Sequence, residues 1–279
     1  MILNKEETRQ LQMVELDIFK EFVSVCEKLQ LKYYILGGTL LGAVRHQGFI
    51  PWDDDIDVGM FREDYELFLE KAADLLPKHL FLQCLHTEDK YYRNSAKIRH
   101  NDTAYIETII KDMNIHHGVF IDVFPLDNYP VKPMEQWWFQ TKAKMIGAAI
   151  NNECGWDKES SWVKKLLKKP LKWKYPTMHS AVLAKENLYK SVPFSGLVAN
   201  HCGAWGKKEI VPAQWYADGC QLQFEGLMVS APKEYEKWLT QVYGDYMQMP
   251  PEEKRVTHHL TEVIDINQSY RNYMKANEE

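Results

Sequence analysis

Four carboxylates fall within five residues at Asp53-Asp54-Asp55-Ile56-Asp57. Asp53, Asp55 and Asp57 share parity, so on a strand they point to one side. The α-carbons of Asp55 and Asp57 would then lie about 6.6 Å apart. Two bare anions at about 6 Å repel by roughly 3 kcal/mol at an effective dielectric of about 20, so the placement calls for a cation. A few hard oxygen ligands suit magnesium or manganese, with coordination positions left open for a phosphate. A second carboxylate source is Asp122, in the middle of the apolar run Val119-Phe120-Ile121-Asp122-Val123-Phe124. A lone aspartate in a buried strand needs a partner, and a cation held by Asp55 and Asp57 would be one. Asp55, Asp57 and Asp122 are therefore the expected catalytic and metal-binding carboxylates. Asp53 is a further expected ligand. Asp54 is a capping or supporting candidate. A solvated acidic loop is the plain alternative, and the interleaved Ile50, Trp52, Ile56 and Val58 argue against it.

The cationic and backbone groups that such a site requires are also present. Gly37-Gly38 ends the apolar run Tyr33-Tyr34-Ile35-Leu36. A glycine turn there, with Thr39 capping a short helix behind it, would let backbone N–H groups approach a phosphate. Arg45 offers a planar fork for phosphate oxygens; the competing reading is a surface ion pair with Asp64. Lys97 and Arg99 share one face of a strand-like segment and could line the path of a diphosphate. His46, His116 and His117 are candidate bases for a hydroxyl, as is Asp122.

Several elements must hold these residues. Asn4 and Glu7 have capping-box spacing. Leu11, Val14, Ile18, Phe22, Val25 and Leu29 then form one helical face. Strands are expected at 33–36, 55–60, 81–84, 96–99 and 119–125, and a helix over 64–76 that ends before Pro77. Helical patterns dominate from about residue 133, at 134–150, 161–168, 177–191 and 232–243, with a small hairpin near 222–229. A soft boundary near 130 divides a catalytic core, 1–130, from a mainly helical region, 131–279, packed on it.

With 279 residues, 45% hydrophobic and 26% charged, the chain has the make-up of an ordinary globular protein. A net charge of −5 argues against a general nucleic-acid binder. Five scattered cysteines without a C-x-x-C pair fit reduced thiols in a cytoplasm rather than a disulfide framework or structural zinc. No signal-peptide layout and no membrane-spanning run is visible. The segment 158–174 has seven lysines and a tryptophan-bearing apolar side, which suits either an anionic membrane surface at the inner leaflet or ordinary packing on the core.

The block Gly37-Gly38-Thr39-Leu40-Leu41-Gly42-Ala43-Val44-Arg45-His46, continued by Gly48-Phe49-Ile50-Pro51-Trp52-Asp53-Asp54-Asp55-Ile56-Asp57, resembles the signature of the LicD family of phosphotransferases. Two later blocks are similar as well: His117 through Asp127, and Tyr243-Gly244-Asp245-Tyr246-Met247 followed by Pro250 through Arg255. The resemblance implies an α+β fold with a nucleotidyltransferase-type core, a small mixed sheet flanked by helices. It implies a CDP-linked alcohol donor, phosphocholine first among the transferred groups, and Mg2+ or Mn2+. The implied acceptor is a glycan or lipid-linked glycan of the cell surface, such as teichoic acid, lipopolysaccharide or capsule. On this chain it matches Asp55 and Asp57 to the metal pair, Asp53 to the first acid of the run, Asp122 to the third-strand carboxylate, and Gly37 and Gly38 to the turn beneath the donor phosphates. Transfer of a nucleoside monophosphate and a non-catalytic metal-dependent binding module remain as alternative readings.

Overall fold

The computed structural model describes residues 3–156, 170–257 and 259–274. Helix α1, Lys5–Leu29, starts at the expected capping box: the Asn4 side chain accepts from Glu6 and Glu7 N–H, and the Glu7 carboxylate accepts from Asn4 N–H at 2.8 Å. Its apolar face buries Leu11, Ile18, Phe22 and Val25 against the sheet.

The sheet is mixed, in the order β1 (Tyr34–Ile35), β2 (Asp57–Phe61), β6 (Phe120–Asn128), β4 (Ala96–His100), β3 (Leu80–Gln83). Only β2 and β6 run parallel; the other pairings are antiparallel. This is the arrangement of an α+β protein with helices flanking a mixed sheet. Strand β6 is the hub. It pairs β2 through residues 122–126, β4 through its first half, and β7 (Leu197–Asn200) through its second half. Strand β8, Ile210–Pro212, extends the sheet beyond β7. Helix α2 (Gly37–His46) lies between β1 and β2, and α3 (Arg62–Leu75) follows β2 directly.

The expected division near residue 130 does not separate the sheet, because β7 and β8 belong to the second half yet pair onto β6. That half also supplies the hairpin β9 (Cys220–Phe224)–β10 (Leu227–Ala231), and β11 (Thr261–Asp265), which pairs β5 (Ala104–Glu107). The helices expected at 134–150, 177–191 and 232–243 are all present, and these strands are added to them. Short strands such as β8 and β11 carry too few residues for period-2 alternation to register. The longer helices described there are α4 (Pro133–Glu153), α5 (Met178–Lys190) and α6 (Tyr235–Tyr243). The helical pattern expected at 161–168 lies outside the described residues, as does most of the basic stretch 158–174. Among its described residues, Trp173 is 90% exposed.

One buried ion-pair group ties the two halves together. The Arg62 guanidinium donates from Nε and Nη2 to both Asp127 oxygens, at 2.8 and 2.6 Å, and Nη1 reaches Glu186 of α5 at 3.4 Å. A forked contact of this kind fixes orientation as well as charge.

Candidate active site

The carboxylates gather where the chain leaves the loop at residue 53 and enters β2. The parity argument from the sequence fails for the first of them, since β2 begins only at Asp57. Residues 53–56 are irregular, and this lets three consecutive side chains converge. Oxygens of Asp53, Asp54 and Asp55 lie within 4.8 Å of one another, a set able to hold a metal ion. Asp54, outside the expected ligand set, is one of the three.

Asp57 stands one residue beyond Ile56, paired in parallel register with Asp122 of β6. Register partners in a parallel pair project to the same face, so the second-strand and third-strand carboxylates are neighbours. The Asp57 backbone N–H donates to Thr39 Oγ1 at 2.8 Å. Thr39 is therefore a positioning residue for Asp57. It does not cap α2, whose N-cap position is Leu36.

The glycines explain why α2 starts here. A Cβ on Gly37, whose φ is +53°, would sit 2.6 Å from Asp57 Oδ2, and one on Gly38 would sit 2.3 Å from Asp53 Oδ2. Only glycine allows the helix N-terminus to come this close to two carboxylates. The first N–H groups of α2 lack acceptors within the helix, so they and the carboxylates border the same space.

Electrostatics shows what the cluster lacks. Burial, then the fields of Asp55 and Asp54, push Asp53 well above the usual carboxylate range. Burial, then Asp55 and Asp122, do the same to Asp57. Asp55 is pushed up to about 6, first by burial, with His259 pulling the other way. Beneath them Glu15 of α1 is buried, with Oε2 lacking a hydrogen-bond partner, and is likewise raised by burial and by the aspartates. Near it, Gln12 Nε2 donates to the carbonyls of Ile50 and Asp53, anchoring the loop to α1. Such an accumulation of buried negative charge is stable only if protonated or neutralised by a cation. The donor set and its charge therefore fit a divalent ion.

Asp54 is the exception. Burial would raise it, but hydrogen bonds from His259 and Tyr105 prevail and hold it below the usual range. Tyr105 O–H donates to Oδ2 at 2.6 Å and His259 Nδ1 to Oδ1 at 3.1 Å. Burial lowers His259, but the bond to Asp54 and the field of Asp55 prevail and lift it to about 9, so the ring carries a proton at neutral pH. Both partners come from the β5–β11 ribbon or its approach. Sequence reading missed His259 because its partner Asp54 lies 205 residues away in the chain; only the pairing of β11 with β5 brings the two together.

The cations expected along a diphosphate path divide. Lys97 and Arg99 are wholly buried, and neither lines an open path. Lys97 Nζ bonds Asp122 Oδ2 at 2.8 Å and lies 3.2 Å from the centre of the Phe120 ring. Burial lowers it to about 8. Arg99 donates to Gln83 Oε1 at 2.5 Å and to the Gly118 carbonyl at 2.7 Å, and so braces the sheet. Strand alternation cannot distinguish an inward-facing cation from a solvent-facing one when both faces of the sheet are covered. Asp122 is thus neutralised on one oxygen, while Oδ1 is buried with no partner. Arg45 is half-buried and is not paired with Asp64. It donates to the Tyr246 carbonyl at 3.2 Å, in the field of Asp53 and near Arg255, which itself lies over the Trp52 ring. The last sequence block, Tyr243 to Arg255, is thereby folded onto the first.

Two of the three candidate base histidines are structural. His116 stacks on Phe81, bonds Asn101, and is driven down to about 2 by burial; His117 is buried and bonds the Met113 carbonyl. His46 accepts from Arg45 Nε at 3.1 Å.

A glycine-gated helix N-terminus faces a carboxylate cluster on a mixed sheet, and that cluster is able to hold a metal ion. Residues 30–149 match the family model described as LicD/FKTN/FKRP, nucleotidyltransferase domain. The chain is 32% identical over 269 residues to the lipopolysaccharide cholinephosphotransferase LicD of Haemophilus influenzae, covering 93% of this chain and 98% of that protein. It is 50% identical over 42 residues to the human ribitol 5-phosphate transferase FKRP, covering 15% of this chain and 8% of that one. The chain belongs to the LicD family.

Proposed function

We propose that this protein transfers a phosphorylated small alcohol, phosphocholine first among the candidates, from a CDP-linked donor to a hydroxyl of a cell-surface glycan precursor. The observation that carries the reading is the convergence of Asp53, Asp54 and Asp55 beside Asp57, with no lysine or arginine neutralising them among the described residues. The name of the Haemophilus relative, aligned over nearly the whole chain, supports phosphocholine as the group and lipopolysaccharide as one acceptor.

Asp53, Asp54, Asp55 and Asp57 would hold Mg2+ or Mn2+. When bound, the ion supplies charge neutralisation for phosphate oxygens. Gly37 and Gly38 bring the α2 N–H groups to the donor phosphates, and Arg45 adds a guanidinium that no carboxylate pairs among the described residues. The acceptor oxygen attacks the phosphorus bearing the alcohol, the bond to the CMP oxygen breaks, and the hydroxyl proton passes to Asp122 Oδ1. Lys97 orients Asp122 for that role. Alignment and charge compensation account for most of the catalysis of phosphoryl transfer. The half after residue 130 would form the acceptor side. No described helix is long and apolar enough to cross a membrane. The proposed setting is the cytoplasmic face, with peripheral contact through 158–174.

The deciding experiment measures CMP release from CDP-choline by Asp57→Asn. The variant should keep its fold by circular dichroism and lose CMP release by about a hundredfold or more, as expected when charge complementarity at a phosphoryl site is removed. Unchanged release would remove the assignment, and pyrophosphate as product would favour nucleotidyl transfer instead.

A further inference from the structure

A second cleft lies between the segment that leads into β4 and helices α4 and α5. It encloses about 200 Å³ and is lined by Tyr92, Arg93, Asn151, Trp156, Lys185 and His201, among others, with no carboxylate in its wall among the described residues. Among the described residues Arg93 and Lys185 make no ion pair, and the single hydrogen bond of Arg93 runs from Nε to its neighbour's hydroxyl, Tyr92 Oη, at 3.0 Å. The anions that favour the charged guanidinium of Arg93, Asp122 and Glu107, act on it from outside the cleft wall. His201 is held flat against Tyr189, ring centres 4.2 Å apart, and its Nε2 is buried without a partner. Burial lowers this imidazole to about 4, so it is neutral and can donate or accept. Tyr92 and Trp156 meet edge to face at 5.2 Å and offer planar surfaces at the same wall. Arg93 also lies in the field of Asp122, so the cleft backs onto the acidic site.

Two cations that make no ion pair among the described residues, one unsatisfied imidazole nitrogen and two aromatic rings describe a receptor for an anion attached to a planar ring. The volume suits one phosphate and one ring rather than an extended glycan. The same cations would repel a quaternary ammonium group, so the alcohol end of the donor belongs elsewhere. We propose that this cleft binds a nucleoside phosphate, with Arg93 and Lys185 on the phosphate and Trp156 against the ring. The proposal rests on the donor being nucleotide-linked.

The test is isothermal titration in EDTA with CMP, cytidine, ribose 5-phosphate, inorganic phosphate and phosphocholine. CMP should bind most tightly, and cytidine and phosphocholine weakly. Lys185→Glu should weaken CMP about tenfold or more, the loss of one charge-assisted contact, with Lys185→Arg restoring it and the melting temperature unchanged. Inorganic phosphate binding as tightly as CMP, or Lys185→Glu binding CMP like wild type, would overturn the nucleotide cleft. Turnover of CDP-choline with an unaltered KM in Lys185→Glu would likewise refute the cleft and leave the transferase reading intact. CMP binding that Lys185→Glu weakens, in a protein that turns over no CDP-alcohol, would sustain the cleft and remove the transferase reading.

Discussion

Asp55→Asn should make the metal-free protein more stable while removing its response to metal. Burial and neighbouring charge lift the Asp55 carboxyl from 3.8 to about 6. At about 1.4 kcal/mol per pH unit, that rise corresponds to roughly 3 kcal/mol of folding free energy lost once the group is ionised in the folded protein. The sign follows from proton binding. Between pH 4 and 6 the folded state binds more protons than the unfolded state, so stability declines as pH rises through that window. The cost is absent below it and complete above it. Asparagine has no charge to desolvate, so in EDTA at pH 7.5 the variant should gain up to about 3 kcal/mol. For a chain of this size that raises the melting temperature by roughly 6 °C. Near pH 4 the two proteins should melt together. Added magnesium should raise the melting point of wild type by mass action and leave the variant nearly unmoved. The assay is differential scanning fluorimetry of both proteins across pH, with EDTA or MgCl2. A variant that melts at or below wild type in EDTA at pH 7.5, or that responds to magnesium as strongly, would refute the idea that the cluster is a cation site under electrostatic strain.

Three other outcomes follow from the same geometry. Gly38→Ala should lower turnover at least about tenfold with the fold retained, because its Cβ must displace the Asp53 carboxylate 2.3 Å away and small misplacements are costly in phosphoryl transfer; steady-state kinetics beside a melting curve checks it. His259→Gln should lose stability at pH 6 but little above about pH 9, since a histidine lifted to about 9 stabilises the fold fully below its unfolded value near 6.5 and ceases to do so as pH rises through 9. NMR titration of the imidazole and urea melts at the two pH values measure it, and a ring that titrates near 6.5 would contradict the assignment. Arg62→Met should cost about 3–5 kcal/mol in urea unfolding, because it leaves Asp127 buried without its guanidinium; a loss below about 1 kcal/mol would show that Asp127 finds another partner.

Local pattern was enough to reveal much of this protein. The Asn4–Glu7 box, the apolar stripe of α1, the strand around Asp122 and the glycine turn before the acids all depend on neighbours within a few residues, and they are visible without the fold. So is the density of the acidic run, which marks it as a candidate cation site before any fold is known. Tertiary structure decided how the charges are distributed. Lys97 and Arg99 read as phosphate ligands by alternation, yet burial between β3, β6 and the covering helices turns them into a counterion for Asp122 and a brace for Gly118. Asp54 joins Asp53 and Asp55 only because the chain is irregular before β2. His259, more than 200 residues along the chain from Asp54, meets it only because β11 pairs with β5. Sequence periodicity records which face a residue occupies within its own element; the partner across that face is set by long-range pairing, which no local pattern encodes.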